Sequence, residues 1–165
     1  MNIKIFLTIV HIIGVVLGAG GATFAEIFFL KSMRDGKIDP VEGSFMKITY
    51  RILRIGLLLL VISGFGYLLL YRFMDQPELL YRTKLWSKLT ITVILLLTVI
   101  GWEMRKVPVW LGSAISLTSW YAALIIGAWR GLDASYLAIM GVYLLSLVVV
   151  AGILKMIRKS LGIAL

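Results

Sequence analysis

Residues 3–30 read IKIFLTIVHIIGVVLGAGGATFAEIFFL. Only Lys4 and Glu26 in this run carry a formal charge. A helix needs about 20 apolar residues to cross a hydrocarbon core about 30 Å thick. This run is long enough. Four further stretches qualify: about Ile52 to Tyr71, Leu85 to Trp102, Trp110 to Ala128, and Tyr136 to Ile157. The reading is an all-α integral membrane protein. It is a five-transmembrane-helix bundle with the first four helices as its core, in one membrane domain over residues 1–165.

Composition supports this. The chain has 165 residues, 61% of them hydrophobic and 15% charged. Soluble domains average about 45–50% apolar and about 25% charged. Here the charges are too few to coat a globule, and the apolar groups too many to bury in one. A soluble enzyme and a disordered tail are both excluded. There is no cysteine, which removes disulfides, thiolate nucleophiles and Cys-ligated metals. His11 is the sole histidine, so one chain cannot assemble a zinc site of several His or Cys ligands. The first run is longer than the ~7–15 residue core of a signal peptide and carries His11 and Glu26 within it, which predicts a retained span.

The connections carry start signals. Asp39-Pro40-Val41-Glu42 reads as an N-cap Asp, a first-turn Pro and a capping-box Glu. The second helix is therefore expected to start near Pro40. Val41, Phe45, Ile48 and Ile52 would form an apolar stripe lying in the interface. Pro77 and Glu78 suggest a similar lead-in to the third helix, and Pro108 a tight turn before the fourth. With the N-terminus outside, eleven of the seventeen Lys and Arg residues fall inside, which favours N-out, C-in. This topology explains the net charge of +9 without nucleic acid as a partner. The expected setting is a lipid bilayer.

The polar groups within the spans are the candidate functional residues. His11, Gly14, Gly18, Ala22 and Glu26 recur at spacings of three and four, so they share one face of a helix. Small residues admit close approach of another backbone, or of a flat cofactor. His11 is either a core histidine satisfied by one hydrogen bond or an axial haem ligand. Lys88, one turn inside the third span, either snorkels to the interface or faces His11 at similar depth. Glu26, Arg54 and Glu103 form a possible charged cluster at the inner ends. Glu26 is expected to pair with Arg54, because a carboxylate in a membrane usually finds a cation.

Several of these residues also carry a family resemblance. His11-Ile12-Ile13-Gly14-Val15-Val16 with Gly20-Gly21, Phe45-Met46-Lys47 with Tyr50-Arg51-Ile52-Leu53-Arg54, and Leu85-Trp86-Ser87-Lys88-Leu89 resemble the first three helices of a bacterial membrane group. That group comprises the HemJ-type protoporphyrinogen oxidases and the CopD-like membrane domains. The resemblance covers roughly residues 5–103. It implies haem b, with His11 as the metal ligand and Lys88 as opposite ligand or propionate partner. Gly14 and Gly18 would then provide the porphyrin wall. The family commonly has a second histidine late in helix three, where this chain reads Gly101-Trp102-Glu103. It is also typically one helix shorter.

The expected function is therefore a b-type haem protein in electron transfer or porphyrinogen oxidation, an oxidoreductase if it is an enzyme. A small transporter or channel subunit is a second expectation. A non-catalytic assembly partner, in a homo-oligomer or with a membrane redox partner, is a third.

Overall fold

The computed structural model describes residues 2–33, 36–73 and 77–163. Arg34, one of the eleven basic residues assigned to the inside, lies outside the described residues. Among the described residues, five helices are long and apolar enough to cross a membrane: α1 (Ile3–Ser32), α2 (Pro40–Phe73), α3 (Thr83–Glu103), α4 (Val109–Ala128) and α5 (Tyr136–Ser160). The protein is an all-helical integral membrane protein.

The ends of these helices follow from local chemistry. The Lys4 N–H donates to Asn2 Oδ1 at 3.1 Å, which caps α1. The capping box at α2 is complete. The Glu42 N–H donates to Asp39 Oδ1 at 2.8 Å, and the Asp39 N–H donates to Glu42 Oε2 at 3.2 Å. Ser135 caps α5 by accepting from the Ala138 N–H at 3.2 Å. At 34 residues, α2 is about 51 Å long, well beyond the hydrocarbon thickness. Part of it therefore runs outside the core, and the Val41, Phe45 and Ile48 stripe of its first turns is exposed. Pro77 does not begin an α-helical lead-in. Residues Pro77–Tyr81 form a 3₁₀ turn, and α3 starts separately after Arg82.

The α3–α4 turn is tight. The Lys106 N–H bonds the Gly101 carbonyl and the Arg105 N–H bonds the Trp102 carbonyl, both at 2.9 Å. This is a Schellman arrangement with Arg105 in the left-handed region at φ 55°. A second such turn ends α5. There Gly162 takes φ 71° and the Ile163 N–H bonds the Arg158 carbonyl at 3.0 Å.

Packing departs from a closed four-helix core. The closest pair is α1 with α2, while α4 touches α1, α3 and α5. One buried cluster joins Val15, Ala19 and Ala22 to Leu57, Leu60, Leu95 and Trp120. A second joins Ile91 and Ile126 to Ile139 and Tyr143. Helix α5 therefore shares in the core. Among the described residues α2 and α3 scarcely approach each other, and a cleft opens between them.

The end gathering the C-termini of α1, α3 and α5 with the N-termini of α2 and α4 carries most of the Lys and Arg residues. It is called the basic end below.

Candidate functional site: a lateral cleft with a buried carboxylate beside it

The glycine row of α1 is filled by protein. A methyl group on Gly14 would lie 2.9 Å from the Leu60 nitrogen and 3.0 Å from the Gly56 carbonyl oxygen. On Gly56 it would meet the Gly14 oxygen and the Gly18 nitrogen, each at 2.9 Å. On Gly18 it would lie 2.1 Å from the Trp120 ring. The two backbones therefore cross in contact, and Trp120 lies flush on α1. This is the helix-packing use of small residues. The face expected to carry a porphyrin is occupied by α2 and Trp120, so Gly14 and Gly18 do not fit that role.

His11 faces α2. Its Nδ1 lies 2.9 Å from Ser63 Oγ, and its ring meets Tyr67 edge to face at 6.0 Å. Ser63 Oγ donates its proton to the Leu59 carbonyl at 2.6 Å. The hydroxyl therefore accepts from His11, which places the proton on Nδ1. In the neutral ring, the Nε2 lone pair is then the one left for another partner. Lys88 is near enough to act electrostatically on His11. Its ammonium makes no hydrogen bond or ion pair among the described residues. Thr8 and Tyr67 hydrogen bond close by.

Among the described residues, Glu26, Arg54 and Glu103 divide between two ion pairs, and the expected Glu26–Arg54 pair is not one of them. Arg158 Nη2 donates to Glu26 Oε1 at 2.7 Å. The Arg158 guanidinium carbon also lies 5.1 Å from the centre of the Phe29 ring. Arg54 instead bonds Glu103 across the mouth between α2 and α3. Exposure separates the two pairs. The side chains of Arg158 and Glu26 are 4% and 9% exposed, and those of Arg54 and Glu103 are 63% and 56% exposed. The physical reason is reach: α5 ends beneath α1 and brings Arg158 to Glu26, while Arg54 lies on the side of α2 that faces α3. Glu26, Arg54 and Glu103 are therefore not one cluster.

Behind the Arg54–Glu103 pair lies a cavity of about 410 Å³. Leu53 and Leu57 line it from α2, Leu95, Val99 and Trp102 from α3, and Trp120 forms part of the wall from α4. From Glu103 to Leu95 it extends about 12 Å along α3. A smaller cavity of about 10 Å³ adjoins it, lined by Glu26, Ser113 and Ser116. Five residues line both: Phe29, Tyr50, Leu53, Trp102 and Ser116. The Tyr50 and Trp102 rings meet edge to face at 5.8 Å.

Sequence reasoning missed Arg158 as a buried partner and Tyr50, Trp102 and Trp120 as cavity walls. A signal for Arg158 was present. Ile139, Tyr143, Leu154 and Arg158 fall on one helical stripe, and it is the buried stripe of α5. No family model, curated protein or solved structure matches this chain.

Proposed function

We propose that the protein binds an apolar-tailed amphiphile that enters sideways from the bilayer. The tail lies in the cleft between α2 and α3, and the polar head sits at the basic end near Arg54 and Glu103. The observation that carries this reading is the cavity of about 410 Å³ between α2 and α3, with apolar walls and a charged pair at its mouth. Ligand pockets of about 300–1,000 Å³ with apolar walls and a few placed polar groups are typical of small-molecule sites. The exposed Arg54–Glu103 pair is worth little to stability, and a polar head can exchange with it cheaply. In this reading the basic end faces the cytoplasm of a bacterial cell, as the excess of Lys and Arg there favours.

Native mass spectrometry of the detergent-purified protein tests the reading. Copies carrying one retained lipid are expected, and Val99→Trp, which fills the cleft, should remove that lipid. Equal retention in both forms would contradict it.

Haem b is a second reading, and one observation favours it. The Nδ1–H bond to Ser63 leaves His11 Nε2 free to ligate, with Lys88 in electrostatic reach. A hydrogen bond from the other ring nitrogen fixes the tautomer and orientation of a ligating imidazole. The glycine row gives this reading no support. A stoichiometric Soret band that disappears in His11→Ala would establish it, and its absence in haem-supplemented protein would end it.

A further inference from the structure

We propose that the small cavity beside Glu26 is a hydrogen-bond slot that selects a neutral, hydroxyl-headed apolar molecule for the cleft. The inference rests on the cleft reading and specifies its ligand class. Glu26 is only 8% exposed and spends Oε1 on Arg158. Its other oxygen makes no hydrogen bond among the described residues. The slot it borders has the room of about one water-sized group. Tyr50 and Trp102 line both slot and cleft, so a head seated against their touching rings borders the slot while its tail follows Leu95 and Leu57.

The charges determine which head fits. An ionised carboxylate only accepts hydrogen bonds, so the head must donate one. An anionic head is repelled by Glu26. A cationic head would place an uncompensated charge beside Arg158, which already neutralises Glu26. Burial makes such a charge costly. A neutral hydroxyl meets both conditions, and Ser113 and Ser116 line the same slot.

The test uses the full chain in detergent, with a diazirine-bearing long-chain alcohol that labels the cleft. Farnesol and farnesyl methyl ether compete for labelling. The two have the same tail, and only farnesol donates. In the unmodified protein, farnesol should compete about tenfold better or more, as expected for one hydrogen bond to a charged acceptor. The double variant Glu26→Leu, Arg158→Met removes the acceptor without leaving an unpaired charge. Its preference should fall toward unity. Should that variant fail to fold, the alcohol-to-ether ratio in the unmodified protein decides alone. Equal competition there overturns the hydroxyl slot and leaves the cleft reading standing. Failure of both competitors to reduce labelling overturns the cleft reading itself.

Discussion

Glu26 and Arg158 stand 132 residues apart in the chain and meet at 2.7 Å inside the bundle. The bond ties the last helix to the first, two helices that otherwise scarcely touch. Its position also matters. The Arg158 carbonyl accepts the closing bond of the α5 Schellman turn, whose Ile163 is buried. The guanidinium is held by Glu26 and the Phe29 ring, its Nε makes no hydrogen bond among the described residues, and Glu26 borders the slot.

Stability should report this pair directly. Glu26→Gln and Arg158→Gln should each cost about 3–5 kcal/mol, because each strands a buried charge. The double variant should cost less than the sum of the two. Arg54→Gln should cost no more than about 1 kcal/mol, given the exposure of its pair, and should add to Glu26→Gln without coupling. Thermal melts in one detergent supply all these values. Coupling of Glu26 to Arg54 instead of Arg158 would refute the assignment.

The glycines divide by what stands opposite them. Gly56→Ala should cost about 1–3 kcal/mol, since the added methyl meets two backbone atoms that cannot turn aside. Gly18→Ala should cost a similar amount, and Trp120→Phe should recover part of the loss. Gly20→Ala has nothing within 4 Å and should be neutral or stabilising by up to about 1 kcal/mol. The same melts check all three. A destabilising Gly20→Ala would contradict the packing described for α1.

The five spans were legible in the sequence because hydrocarbon thickness imposes a length that composition alone can meet. Starts were legible where side chains make them, as at Asp39 and Glu42. Partners were not. Glu26 had several basic residues within sequence-level reach, and Arg158 became its partner only through the course of α5. The glycine row was read as a place of close approach, which it is. Sequence could not show that Gly56 and Trp120 fill it. The cleft depends on two helices failing to pack, and no local pattern encodes that.

Topology is open to a clean chemical test because the chain has no cysteine. Tyr81→Cys lies in the exposed turn before α3, and Lys106→Cys in the exposed α3–α4 turn. With the basic end in the cytoplasm, an impermeant maleimide added to whole cells should label the first and not the second. Labelling of Lys106→Cys alone would invert the orientation.

Photolabelling tests the cleft most directly. A long-chain alcohol with a diazirine at the end of its chain, incorporated with the protein in nanodiscs, should mark Leu57, Leu95 and Val99 on irradiation. Peptide mapping by mass spectrometry locates the adducts. Val99→Trp should abolish the adducts at Leu57 and Leu95 while leaving those on outward residues such as Leu145 and Val148 unchanged. Adducts confined to the outward faces in the unmodified protein, with none at Leu57, Leu95 or Val99, would contradict the account.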